Sequence, residues 1–296
     1  MINAALFPAL ETLLAVARTG SVAAAARHQH VTPSAVSQQI RRVEGHFGIK
    51  LFERAGRGVR LTANGEQAIV ALRELWGAAE SAFSQLGELS GRPSTTLRVA
   101  ASDYLGKGLL APVLRDLLDD DPQVRFEIVT THSGASVRLV ANGEVDLAIV
   151  TGQQTPRGLD ERHLFDQPFV WVGPRRAHGN RRPLTERLRQ EPILRLSLES
   201  RGRAVLDDYL AEHRIRPVST IDVPSVSLLL SYVEGGLGIG LVPALALADA
   251  PSDRLVIQRA QVPALPVVLC WRAGARRQPA LVRLIELLAS LTPPRV

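Results

Sequence analysis

Residues 31–47 read Val31-Thr32-Pro33-Ser34-Ala35-Val36-Ser37-Gln38-Gln39-Ile40-Arg41-Arg42-Val43-Glu44-Gly45-His46-Phe47. Thr32 is a good N-cap, and Pro33 suits the first helical position, where a missing N–H costs nothing, so the run predicts a helix. Val36, Ile40, Val43 and Phe47 recur at i, i+4, i+7 and i+11, which at 100° per residue places them within about 60° of one another. They are the expected buried stripe. The opposite face carries Ser34, Gln38, Arg41 and Arg42, with Ser37 and Gln39 on its flanks and no acid before Glu44. Hydroxyls, an amide and guanidinium groups are what base edges and phosphates require from a helix in the major groove. A merely solvated polar face is the competing reading of this helix taken alone.

The flanks favour DNA. Upstream, Leu10, Leu13, Leu14 and Ala17 repeat at helical spacing and stop at Gly20; Ser21 then caps a short alanine-rich helix on which a neighbour can pack closely. Downstream, Leu51 to Arg54 and Val59 to Leu61 read as two short strands joined by Ala55-Gly56-Arg57-Gly58. The pattern is a winged helix-turn-helix. Thr32, Pro33 and Ser34 open the reading helix, while Arg54, Arg57 and Arg60 lie on or beside the wing, within reach of the backbone or an adjacent minor groove. Charge follows the same division. The chain carries net +6, and residues 1–62 hold eight cations against three anions while the other 234 residues hold 27 against 26. A fifth of the chain therefore carries nearly all the excess, as a basic module attached to a neutral one.

The ordered run Gly20-Ser21, Ala25-Ala26, Val31 to Ile40, Gly48, Leu51-Phe52-Glu53-Arg54, Leu61-Thr62 and Gly65 resembles the N-terminal signature of LysR-type transcriptional regulators. Two positions depart from it: Gln29 stands where the family usually has an apolar residue, and Val22 where phenylalanine is common. They bear on packing of the second helix. The resemblance implies a dimerising linker helix and a C-terminal effector domain similar to periplasmic binding proteins.

The residues after Thr62 agree with that. Thr62 caps a helix expected to run to about Leu89, ahead of Ser90-Gly91-Arg92-Pro93-Ser94. Ile69, Leu72, Trp76, Ala79, Phe83 and Leu86 are spaced 3, 4, 3, 4, 3, as in a coiled-coil seam, along a helix about 40 Å long. A long helix with one narrow apolar stripe needs a partner, and a homodimer or homotetramer would bring reading heads to paired half-sites.

From Thr96 strands alternate with helices. Leu97 to Ala101, Arg125 to Thr130 and Val145 to Val150 read as strands separated by helices, and a second set follows from Phe169. The order predicts parallel α/β sheet. The fold class is therefore α/β overall: an all-α winged helix-turn-helix over 1–62, a linker helix and hinge over 63–95, and a two-lobed domain over 96–296. Lobe I is expected over 96–164 plus 267–296, and lobe II over 165–266. Ligands of open sheets bind beyond the C-terminal strand ends, against helix N-termini. Ser102 and Asp103, then Thr130, Thr131, His132 and Ser133, then Thr151, occupy such places in one lobe; Ser197, Ser200, Arg201 and Ser225 do so in the other. Helix capping explains about half of these hydroxyls. Ser102 is the first choice, both capping its helix and meeting a carboxylate or similar anion. Asp103 would repel an anion unless it points away or pairs with an ammonium, which keeps an amino acid open as effector.

Other classes find little support. Cys270 is the only cysteine, so no disulfide forms within the chain. No Gly-x-Ser-x-Gly elbow or Gly-x4-Gly-Lys loop occurs, and the glycines at 236, 238 and 240 do not space as a dinucleotide fingerprint. His28 and His30 lack a third ligand nearby, so no metal and no cofactor are expected, nor an enzyme. The N-terminus lacks the pattern of a secretory signal and the apolar runs are too short for a membrane span, so the expectation is a cytoplasmic protein. Its partners would be promoter DNA, a small-molecule effector and, at a promoter, RNA polymerase. The alternative is an intracellular small-molecule-binding protein without sequence-specific DNA binding.

Overall fold

The computed structural model describes residues 6–56, 58–73, 75, 79, 96–120, 122, 124–175, 183–248, 254–273, 275 and 278–291. Contacts divide the chain into two compact units, Met1–Leu86 and Gly87–Val296.

In the first unit α1 (Phe7–Thr19), α2 (Val22–His28) and α3 (Pro33–Phe47) precede a hairpin of β1 (Phe52–Ala55) and β2 (Gly58–Leu61), and residues 63–73 are again helical. The ends follow local chemistry. Ser21 Oγ accepts from Ala24 N–H, Thr32 Oγ1 from Ala35 N–H and Thr62 Oγ1 from Gly65 N–H, while Gly20 and Gly48 close α1 and α3 in the left-handed conformation. Leu13, Val16, Ala25, Ala26, Val36, Val43, Leu51 and Ile69 form the core. Ala25 and Ala26 have no bulk to hold the helices apart, which is what an alanine-rich second helix offers.

Three expectations change here. Phe47 lies at the azimuth of the buried stripe yet is 61% exposed. It sits eleven residues beyond Val36, about 16 Å along the axis, where α3 has run past the core. Ile69, expected on the dimer seam, is 1% exposed inside this unit's own core, and Leu72 packs partly against the same cluster. The first turns of that helix serve their own domain. Ala79 is half-buried, while Trp76, Phe83 and Leu86 lie outside the described residues. Finally, Gln29 is accommodated by a polar neighbour: Thr12, 2% exposed, meets the side-chain amide of Gln29 at 2.9 Å and that of Gln39.

The second unit holds two five-stranded sheets. The first has the order β4-β3-β5-β12-β6, made of β3 (Thr96–Ala101), β4 (Arg125–Thr130), β5 (Leu147–Thr151), β6 (Leu159–Gln167) and β12 (Leu265–Arg272). The second has the order β11-β7-β10-β8-β9, made of β7 (Phe169–Pro174), β8 (Ile193–Leu196), β9 (Thr220–Val223), β10 (Ile239–Pro243) and β11 (Leu255–Arg259). Each is mixed rather than wholly parallel: β12 runs antiparallel to β5 and β6, and β7 antiparallel to β10 and β11. The chain crosses between sheets twice, after Gln167 and between Arg259 and Leu265. Residues 165–167 and 265–266, expected in the second lobe, therefore belong to the first sheet, because β6 and β12 stay paired along their whole length. One apolar cluster continues across both sheets, from Val99, Leu105 and Leu109 to Val172, Leu230, Val242 and Leu245. Among the described residues no helix is long and apolar enough to cross a membrane.

Candidate DNA-reading surface and effector cleft

On the exposed side of α3 the structure places Thr32, Pro33, Ser34, Gln38, Arg41 and Arg42. Ser37 is half-buried, its hydroxyl donating to the Pro33 carbonyl at 2.9 Å, and Gln39 is turned toward Thr12. Neither presents a free edge as Gln38 does. Arg54 is exposed on β1; Arg60 is exposed but pairs with Glu53 across the hairpin at 2.6 Å; Arg57 lies outside the described residues.

The wing is fastened to α3 by Glu44, which sequence reasoning passed over. Its carboxylate is 6% exposed and accepts from Leu51 N–H at 2.8 Å, Phe52 N–H at 3.3 Å and Lys50 Nζ at 2.7 Å. Burial alone would raise this carboxyl, but the three donors together hold it below the ordinary carboxylate value. The signal was present. Val36, Ile40 and Glu44 are spaced by four, so Glu44 extends the buried face.

In the second unit, a cavity of about 390 Å³ lies between the C-terminal ends of strands from both sheets. All eleven of the residues expected around an effector line it: Ser102 and Asp103, Thr130 to Ser133, and Thr151 on one side, with Ser197, Ser200, Arg201 and Ser225 on the other. Tyr104, Phe169, Leu196, Gly202, Pro224, Val226 and Pro243 complete the wall. Those seven were missed, since apolar residues at strand and helix ends read as ordinary core.

Several lining groups hold the wall in place. Ser225 Oγ caps its helix through Leu228 N–H at 3.2 Å, and His132 Nδ1 accepts from Ala135 N–H at 3.3 Å. Ser133 Oγ accepts from Thr151 N–H at 2.9 Å, and the Thr151 hydroxyl lies 2.8 Å from the Tyr104 hydroxyl. Burial pushes the Tyr104 phenol up to about 12. Asp103 bridges the two sides: its Oδ2 accepts from Ser227 N–H at 2.8 Å, in the first turn of the Val226–Glu234 helix. The charge that threatened to repel an anion is thereby turned onto a helix N-terminus. Ser102 corrects its expectation. It makes no capping bond, the first turn being tied instead by Gly106 N–H on the Ser102 carbonyl at 2.9 Å, and beyond the neighbouring Tyr104 hydroxyl its buried hydroxyl has no hydrogen-bond partner among the described residues.

Cys270 is buried in β12, where burial pushes its thiol up to about 12, so the reactive thiolate is scarce at neutral pH. No group of three or more His, Cys, Asp or Glu suited to a metal occurs among the described residues.

A wing clamped to a helix that offers an amide and two guanidiniums, in a chain that also builds a polar cleft between two sheets, defines a DNA-binding regulator with a ligand-sensing domain. The comparisons agree. Residues 7–66 match the family of bacterial regulatory helix-turn-helix proteins of the lysR type, and residues 90–292 match the LysR substrate binding domain. The chain belongs to the LysR family of transcriptional regulators. It is 30% identical over 270 residues to a probable nitrogen assimilation transcriptional activator of Synechococcus elongatus, covering 86% of this chain and 84% of the relative. It is also 25% identical over 276 residues to the transcriptional activator protein LysR of Escherichia coli, covering 93% and 89%. In fold it is similar to ArgP from Mycobacterium tuberculosis, with a TM-score of 0.66, 21% identity and 96% of each chain covered.

Proposed function

We propose that this regulator binds promoter DNA as a homodimer or homotetramer in the cytoplasm, with residues 1–62 as reading head, 63–95 as linker and 96–296 as sensor. The observation that carries the reading is the exposed, acid-free run Ser34, Gln38, Arg41 and Arg42 on α3, beside a wing that Glu44 fixes in place. Gln38 reads a base edge, and Arg54 holds phosphate. The cleft takes a small-molecule effector, whose binding shifts the balance between two arrangements of the paired reading heads by its unequal affinity for them. RNA polymerase is the partner that such a shift would engage or exclude. The chain acts through binding rather than catalysis.

Two variants separate readout from charge in titrations on a specific operator and on random duplex. Gln38→Ala should cost about 1–3 kcal/mol on the operator by relaxing preference at one base pair, and leave random DNA nearly unaffected. Arg54→Ala should weaken both alike and lower the salt slope by about one. Equal losses on both duplexes for Gln38→Ala would place the reading face elsewhere.

A further inference from the structure

The Arg201–Glu212 helix begins at the cleft with two arginines in its first turn and no acid there. Cations are disfavoured at this end, because the helix dipole already places positive charge on its first amides. Arg203 is compensated. It is buried, pairs with Asp207 at 2.7 Å and Asp222 at 3.1 Å, and donates to the Leu196 carbonyl at 3.2 Å. Asp222 is held below the ordinary carboxylate value by its hydrogen bonds to Arg195 and then by Arg203. Arg201 is exposed to solvent instead: it lines the cavity and has no ion-pair or hydrogen-bond partner among the described residues. Its guanidinium stem passes beside Gly152, where a Cβ would lie 3.4 Å from Arg201 Nε.

Two further features point the same way. Ser200, at the N-cap of that helix, makes no side-chain capping bond, and Arg201 and Gly202 at the helix start line the cavity. Across the cleft, the Ser102 hydroxyl is shut from solvent and, beyond the neighbouring Tyr104 hydroxyl, has no hydrogen-bond partner among the described residues. A buried hydroxyl short of partners costs free energy that a bound acceptor would restore. The lining's one carboxylate, Asp103, places an oxygen on Ser227 N–H at a helix N-terminus, whose partial positive charge offsets part of its own. Phe169, Leu196 and Pro243 supply apolar surface that an inorganic ion would not use.

Resting on the reading of this cleft as the effector site, we propose that it takes a small organic anion, a carboxylate with a compact apolar body and no ammonium group. Arg201 and the first amides of its helix hold the carboxylate, and Ser102 donates to it. A cavity of about 390 Å³ limits the ligand to modest size.

The test uses the full chain and matched probes: benzoate and hexanoate, their neutral amides, and phenylalanine and norleucine as ammonium-bearing counterparts, followed by melting temperature and calorimetric titration. The acids should raise the melting temperature and bind, the amides should not, and the amino acids should bind at least about tenfold more weakly. Arg201→Gln should lower acid affinity roughly 10- to 100-fold, the range for a hydrogen bond to a charged group. Its unliganded melting temperature should not fall, since the substitution removes an exposed cation without a protein partner from a helix N-terminus; a purely structural role would lower it. Arg201→Lys should retain part of the affinity. Amides or amino acids binding as tightly as the acids, an unchanged affinity in Arg201→Gln, or no binding by either acid would overturn the proposal. Operator binding by the unliganded protein is measured alongside. Its absence overturns the regulator reading, whereas its presence with a failed ligand panel overturns the ligand class alone.

Discussion

Glu44→Ala should destabilise the N-terminal unit by about 1–3 kcal/mol and weaken operator binding beyond what that loss of folded protein explains. The substitution strips the buried Leu51 N–H, and the adjacent Phe52 N–H, of their acceptor, and a buried donor left unpaired costs about that much. It also releases the tie between α3 and β1, so the wing loses its fixed position beside the reading helix. Because the folded-state carboxyl is held below its unfolded value, its contribution is fully present above the unfolded value and is lost as pH falls through the folded one. Denaturation curves of wild type and variant should therefore converge on acidification. A gap that persists unchanged at low pH would show that the clamp does not depend on the charge.

Trp76→Glu should convert the assembled protein to folded monomers in sedimentation and lower operator affinity by roughly 10²–10⁴, the advantage of joining two binding heads. Ile69→Glu should behave differently. That side chain is in the core of its own unit, so a buried charge there should unfold the domain rather than dissociate a folded one. Val70 and Leu75, 45% and 47% exposed on the same helix, are described apolar residues that a partner's stripe could cover. A dimer retained by Trp76→Glu would move the interface off this helix.

The contrast between Ile69 and Leu75 shows what spacing conveys and what it withholds. Periodicity gives azimuth around a helix; it gives neither the depth along the axis at which a core ends nor which of two partners covers a stripe. Phe47 and Ile69 were misjudged for these two reasons. Glu44 was legible but overlooked, since its carboxylate lies on a buried face whose need for an acceptor appears only when β1 packs against it. The second unit divides in the same way. The C-terminal strand ends and their hydroxyls could be read from the alternation of elements, and those residues meet in one cavity. β6, with the sequence Leu-Asp-Glu-Arg-His-Leu-Phe-Asp-Gln, carries no clean apolar alternation because it lies at a sheet edge with most of its side chains in solvent, so pairing with β12 defines it. The tie from Asp103 to Ser227 joins residues 124 apart in sequence, a separation at which local chemistry gives no warning.

Readout of DNA sequence by α3 and its wing, under electrostatic guidance, is the role proposed for the N-terminal unit. Footprinting of the full chain across the promoter region beside its own gene, repeated at rising salt, tests it most directly. Protection of paired half-sites separated by whole helical turns is expected, lost steeply as salt increases and weakened by Gln38→Ala. Uniform, sequence-independent protection, or no salt-sensitive protected site at all, would contradict it.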